Sequence, residues 1–267
     1  MEAWRMIDAV VYIGHGSRRD EGNEQFKTFI ESVKEDVPLP NQEIAFLELT
    51  HPTIAETLGK LIERGAERFL IVPVLLFSAV HHKQDIPEAL QAIRSKHEHI
   101  SFRITDPFGV HPNMIKLVVK RIKAEMSEKN AAILLVGRGS SEPGPIMGLQ
   151  QIGRVVEQTL NKPVYEAFLT AAVPSFDTAI AKLKNQYEKV YVMPYLLFTG
   201  LLLKRIDQTI KDNNNFILCK NLEFDELMKQ TLIERMEEAC YGAAISNDNE
   251  TAWQESCHSW RRSNSSA

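Results

Sequence analysis

The sequence predicts an α/β fold made of two duplicated lobes, each a four-stranded parallel sheet flanked by helices. Two observations carry this expectation. Short β-rich runs alternate with longer amphipathic stretches, the rhythm of βα units whose crossover helices cover both faces of a parallel sheet. Three landmarks of the first half also return in the same order in the second, about 120 residues on, as a duplicated unit would leave them.

The first run, Ala9-Val10-Val11-Tyr12-Ile13, reads as a strand and leads into a helix over 21–35. Strands over 43–49, 68–77 and 100–104 follow, each with its helix, over 53–64, 83–97 and 112–125. In the second half strands are expected over 131–136, 163–168, 189–193 and 215–219, with helices over 146–160, 175–187, 203–211 and 223–240. The landmarks tie the halves together. Ile13-Gly14-His15-Gly16-Ser17 returns as Val136-Gly137-Arg138-Gly139-Ser140, and Phe46-Leu47-Glu48 as Phe168-Leu169-Thr170. Pro73-x-Leu75-Leu76-Phe77 returns as Pro194-x-Leu196-Leu197-Phe198. The separation shrinks by one residue from each landmark to the next, as small loop deletions would produce. The expected division is therefore 1–128 and 129–244, with 245–267, which has no periodic apolar face, as a disordered tail.

Composition narrows the possible partners. Of 267 residues, 44% are hydrophobic and 25% charged, which excludes disorder over most of the length. A formal charge of −4 gives no global attraction to nucleic acid or an anionic membrane, so an anionic ligand needs a local basic cluster. The acidic N-terminal residues are unlike a secretory signal, and no stretch approaches the roughly 18 apolar residues of a membrane span. A cytoplasmic monomer acting on a small molecule is expected. Cys219, Cys240 and Cys257 are few and far apart, which argues against a disulfide framework, a zinc knuckle or a four-cysteine iron–sulfur cluster.

In open parallel sheets ligands gather beyond the carboxyl ends of the strands, where strand order reverses. His15, Glu48 and His81 each stand at such an end and are evenly spaced, one βα unit apart. A 2-1-3-4 strand order would put His15 at the switch point with Glu48 and His81 on either side. Strands about 4.8 Å apart let three neighbouring tips converge on one ion at about 2.0–2.2 Å per ligand. Two imidazoles and a carboxylate suit a first-row divalent metal and leave coordination positions open for a substrate. The duplicate is an internal control: Arg138, Thr170 and Leu202 replace the three residues while the surrounding Gly-x-Gly-Ser and Pro-x-Leu-Leu-Phe framework is kept.

Other readings of single residues stand beside this one. His15 between two glycines also fits a turn residue, although those glycines would let a ligand approach the backbone closely. Glu48 also fits a solvated strand tip, and spacing alone does not choose between His81 and His82. His51, His97, His99 and His111 have no partner at ligand spacing and are expected at the surface. Ser17, Arg18, Arg19 and Lys83 follow the first-lobe strand tips, and Arg138, Lys204 and Arg205 stand in corresponding places in the second lobe. A cleft between the lobes would offer this cationic rim and helix N-termini to a polycarboxylate.

The segments Ile13-Gly14-His15-Gly16-Ser17-Arg18, Phe46-Leu47-Glu48-Leu49 and 75–87, ending in His81-His82-Lys83-Gln84-Asp85-Ile86-Pro87, resemble the signatures of the class II chelatases. Within that family they are most similar to the Bacillus-type sirohydrochlorin ferrochelatases. The likeness spans roughly residues 8–240, and the His81-x-Lys83-x-Asp85-Ile86-Pro87 context is its most specific part. The resemblance implies two Rossmann-like, chelatase-type domains facing each other across a substrate cleft, and ATP-independent insertion of Fe²⁺ into sirohydrochlorin, an anionic tetrapyrrole, to give sirohaem. It also selects His81 over His82. It makes His15 and His81 the metal-binding and proton-removing residues, with Glu48 an auxiliary ligand or base. Fe²⁺, or Co²⁺, is then a substrate, and no cofactor is permanently bound.

Metallation exchanges one divalent cation for two pyrrole protons, and neutral imidazoles can both deliver the ion and take up protons. Activity is then expected to fall as pH drops through the histidine range. Insertion of Co²⁺ on the cobalamin route remains open, since the ligand set accepts both ions. A non-catalytic metal or tetrapyrrole carrier would bind without turnover. A histidine phosphatase is disfavoured because Gly14 stands where the Arg-His-Gly signature needs arginine.

Overall fold

The structure is a computed structural model that describes residues 3–79, 81–128, 130–198 and 200–241, with Ala3 and His81 described by backbone alone. It contains the two expected sheets. In the first lobe β1 (Ala9–Gly14) lies between β2 (Gln42–Phe46) and β3 (Arg68–Pro73), with β4 (Ser101–Ile104) beyond β3. In the second, β5 (Ala131–Gly137) lies between β6 (Val164–Phe168) and β7 (Lys189–Pro194), with β8 (Phe216–Leu218) outermost. All six pairings are parallel. The strand order in each lobe is therefore the one that puts the first strand at the switch point. Both central strands are buried at every residue, as helix cover on two faces requires.

The helices are α1 (Asp20–Lys34), α2 (Ile54–Glu63), α3 (Ile86–Arg94), α4 (Pro112–Glu125), α5 (Pro143–Leu160), α6 (Phe176–Leu183), α7 (Leu201–Ile210) and α8 (Glu226–Tyr241). Strand periodicity decides which helices cover which face. Ala9, Val11 and Ile13 of β1 pack outward under α2 and α3, with Leu58 and Leu90. Leu134 and Val136 of β5 do the same under α6 and α7. Val10 and Tyr12, like Ile133 and Leu135, turn inward to one core that runs through both lobes. α2 opens with a capping box, Thr53 Oγ1 accepting from the Glu56 N–H and the Glu56 carboxylate accepting from the Thr53 N–H. Ser175 caps α6 at the corresponding place.

The inner core is closed by an exchange of helices. α4, last helix of the first half, packs against α5 and β7 of the second, whereas α8, last of the second half, packs against α1, β4 and a 3-10 helix at Ala3–Met6. The two exchanged helices also pack on each other. Asp225, just before α8, accepts from Lys120 (2.8 Å) and pairs with Arg121 (3.2 Å) of α4. Lys229 of α8 pairs with Asp36 at 2.6 Å.

Several boundaries differ from expectation. β2 and β3 end at Phe46 and Pro73 instead of 49 and 77. The β2 exit bends at Leu49, which takes a left-handed φ of 67°. Leu75, Leu76 and Phe77 are apolar because Leu76 and Phe77 pack into the core shared by the lobes, a burial that reads from sequence like a continued strand. The helix expected over 83–97 is divided into a π-helical turn, His81–Asp85, and α3. α5 and α7 begin earlier than expected, at Pro143 and Leu201, and the short N-terminal 3-10 helix, which buries Trp4, was not foreseen. The expected tail, 245–267, with Cys257, lies outside the described residues.

His111 corrects the expectation of a surface histidine. It is only 8% exposed, its Nδ1 accepts from the Asn113 N–H (3.3 Å) and meets Thr231 Oγ1 (3.3 Å), and its Nε2 faces Glu234 at 3.0 Å. It caps α4 and joins it to α8.

Candidate functional site

The site begins with two glycines at the end of β1. A Cβ on Gly14 would lie 2.9 Å from the Phe26 ring. Gly16 has φ of +90°, and a Cβ there would lie 1.9 Å from the Glu48 carbonyl oxygen. Contacts this short exclude any side chain at Gly16 while the turn keeps its shape. The exits of β1 and β2 therefore run side by side past the end of the sheet: the Leu47 N–H donates to the Gly14 carbonyl (2.9 Å) and the Glu48 N–H to that of His15 (3.1 Å). The space a side chain would take is filled by the Phe26 ring at Gly14 and by the chain's own backbone at Gly16.

This backbone pairing brings two site residues together. His15 Nε2 lies 3.5 Å from Glu48 Oε1, while His15 Nδ1 faces the Gly16 carbonyl at 3.3 Å. Side-chain exposures of 27% and 50% leave both groups reachable from solvent. Two ligands each about 2.1 Å from a tetrahedral ion stand about 3.4 Å apart, so the pair has the separation that a shared first-row cation requires.

His81 opens the π-helical turn that follows β3, and its imidazole lies outside the described residues. The neighbouring His82 is fully engaged within its own lobe: Nδ1 meets Ser78 Oγ at 2.9 Å and Nε2 meets the Thr105 carbonyl at 3.2 Å. Those bonds tie the turn to the end of β4. Among the described residues no group of three or more His, Cys, Asp and Glu side chains is placed to hold a metal, and what they bring together of the expected trio is the His15–Glu48 pair.

The second lobe repeats the turn without these groups. A Cβ on Gly137 would meet Leu149 at 2.8 Å, and one on Gly139, at φ +94°, would meet the Thr170 carbonyl at 1.8 Å. Both the Thr170 N–H and its hydroxyl donate to the Arg138 carbonyl at 2.9 Å. The scaffold needs the glycines and tolerates arginine and threonine where His15 and Glu48 stand.

Of the expected substrate-binding residues, Arg18, Arg138 and Lys204 are exposed. Ser17 Oγ accepts from the Arg19 N–H (3.0 Å) and its carbonyl from Asn23 (2.8 Å), which shapes the start of α1. Lys83 pairs across the lobes with Glu142 at 2.9 Å. Arg205 donates to the Leu169 carbonyl (2.9 Å) and to Asp177 (2.8 Å) within its own lobe. Glu142 was not found from the sequence, because nothing local marks a carboxylate whose partner is 59 residues away in the other lobe.

A duplicated parallel sheet with a histidine–carboxylate pair at one switch point, and arginine and threonine at the matching place of the other, defines a two-lobed α/β protein whose strand ends are unlike. The family model described as CbiX matches residues 9–125 and again 132–239, once in each half, and the chain belongs to that family. The sirohydrochlorin ferrochelatase of Priestia megaterium is 38% identical over 228 residues, covering 82% of this chain and 86% of that protein. The sirohydrochlorin cobaltochelatase of the same organism is 31% identical over 255 residues, covering 90% and 83%. Among solved structures, SirB from Bacillus subtilis with Fe³⁺ matches with a TM-score of 0.83 at 31% identity, over 90% of this chain and 98% of that one.

Proposed function

We propose that this chain is a sirohydrochlorin ferrochelatase, inserting Fe²⁺ into sirohydrochlorin to give sirohaem without ATP. The observation that carries the proposal is the 3.5 Å His15–Glu48 pair at the switch point of the first sheet, with Arg138 and Thr170 at the matching place of the second. Membership of the CbiX family and the 38% identity to a ferrochelatase support it. In this reading His15 and His81 hold Fe²⁺ against one face of the macrocycle, and Glu48 serves as further ligand or base. Insertion forms the metal–nitrogen bonds and releases two pyrrole protons, which these side chains accept and pass to water. Ser17, Arg18, Arg138 and Lys204 bind the peripheral carboxylates, and Lys83 does so while still paired with Glu142. No helix of the described residues is long and apolar enough to cross a membrane, and we assign the protein to the cytoplasm as a monomer.

Anaerobic absorbance spectroscopy of sirohydrochlorin with enzyme and Fe²⁺ tests this. Wild type should metallate well above the uncatalysed rate, and folded His15→Ala and His81→Ala variants should lose about 10²-fold or more of it. Wild-type rates in both variants would refute the mechanism, and binding without turnover would make the protein a carrier. A second reading, Co²⁺ insertion, is favoured by the 31% identity to a cobaltochelatase, and the same assay with Co²⁺ ranks the two metals.

A further inference from the structure

The residues on either side of His81 are gripped by the lobe in which Arg138 and Thr170 stand at the places of His15 and Glu48. Phe77 stacks on Tyr195 of the second lobe, centroids 5.4 Å apart and planes 27° apart. The same ring lies over α5 at Gly148, where a Cβ would come within 2.5 Å of it. The Ser78 carbonyl lies 3.5 Å from where a Cβ of Gly144 would be, one turn earlier on α5. Beyond His81, Lys83 pairs with Glu142 at the N-cap of α5. From its own lobe the turn is held by His82 through Ser78 and Thr105.

The duplicate shows that this grip is not a general requirement of the fold. Phe26 and Leu149 fill matching places beneath Gly14 and Gly137, so Gln25 is the counterpart of Gly148. Position 25 is thus not a glycine, and Phe198 packs edge-on against Phe224 of its own half (5.3 Å), which in turn stacks on Phe29 of α1. Among the described residues, only the segment leading to His81 has an aromatic ring seated against a glycine of the opposite lobe.

We propose that Gly148, Tyr195 and Glu142 are positioning residues for the first-lobe site, and that the second lobe fixes where the His81 turn stands relative to His15. The proposal rests on the assignment of His81 as a metal-handling residue. A metal site needs its ligands fixed to within about half an ångström, and misplacement by about 1 Å can lower turnover by about 10²-fold. In the full-length protein, Gly148→Ala should drive Phe77 from its notch and lower kcat/KM for Fe²⁺ about tenfold or more, leaving tetrapyrrole affinity, read by fluorescence quenching, within about twofold. Adding Phe77→Leu to Gly148→Ala makes room again and should restore most of the loss. Glu142→Gln, nearly isosteric at a partly buried side chain that makes no capping hydrogen bond, should lower the same Fe²⁺ parameter about threefold. Wild-type Fe²⁺ kinetics in Glu142→Gln, a loss confined to tetrapyrrole affinity, or a double variant no better than Gly148→Ala would each overturn the proposal. His81→Ala separates the two levels of inference. If it abolishes insertion while the Gly148 and Glu142 variants leave Fe²⁺ kinetics unchanged, the brace alone is wrong; if it retains the wild-type rate, the site assignment falls and the brace with it.

Discussion

Gly16 and Gly139 occupy the same bend in the two lobes and have the same reason to be glycine, a partner carbonyl within 2 Å of where a Cβ would stand. Alanine at either should lower stability by about 1–3 kcal/mol, because a left-handed φ and a backbone clash are imposed together. The two differ in what they displace. Gly16→Ala pushes on Glu48 and should also slow Fe²⁺ insertion at temperatures well below its melting point; Gly139→Ala pushes on Thr170, beside Arg138, and should weaken tetrapyrrole binding while leaving the rate at saturating tetrapyrrole near wild type. Equal slowing in both would remove the functional distinction between the lobes. The same contrast explains what was readable from sequence. His15 and Glu48 stood out because the repeat kept their frame and replaced them, whereas Glu142, Tyr195 and the burial of His111 depend on partners far along the chain that no local pattern announces.

Elements were legible where a single sheet decides their burial. Both sheets and most helices follow from apolar runs alternating with amphipathic stretches, their strand order from right-handed crossovers, and α4 begins and ends where the pattern places it. Misreadings fall where burial has another source: Leu76 and Phe77 pack into the core shared with the opposite lobe, and a π-helical turn stands where a regular helix start was expected. The strand ends away from the site carry a conventional clamp. The Asp8 carboxylate, just before β1, accepts from the backbone N–H groups of Glu67 (3.1 Å) and Arg68 (2.9 Å) and from the Arg68 guanidinium. The Arg68 hydrogen bond does most to hold its pKa down to about 2. A carboxyl with a folded pKa below its unfolded one stabilises above the unfolded value, 3.8, and loses that contribution as pH falls toward 2. Both side chains are partly exposed, which trims the effect of Asp8→Asn to about 1 kcal/mol at neutral pH. Urea titrations of the two proteins should give that gap at pH 6 and a closing gap between pH 4 and 2. A gap independent of pH would mean that the clamp acts without its charge.

At the scale of the molecule, the exchange of α4 and α8 makes the lobes one cooperative body, since each half completes its inner core with the other's last helix. His111 sits at the centre of that exchange, and its protonation state follows from its bonds. Nδ1 accepts from the Asn113 N–H, so a proton on that nitrogen would set two donors against each other. Burial, the largest influence, holds the pKa below its ordinary 6.5; Glu234 and Glu238 pull it up, Arg235 pushes it further down, and burial prevails. The unfolded chain therefore takes up the proton first. The His111 contribution to stability is complete above about pH 6.5 and declines as pH falls below it, by at most about 1.4 kcal/mol per pH unit. His111→Asn keeps a side-chain acceptor at the N-cap of α4 but cannot titrate in this range. Between pH 7.5 and 5.0 the wild type should lose stability relative to His111→Asn, in a single unfolding transition, because the joint is shared by both lobes. Parallel curves for the two proteins would place the acid sensitivity elsewhere. A first transition confined to one lobe would show that the exchanged helices do not couple the halves.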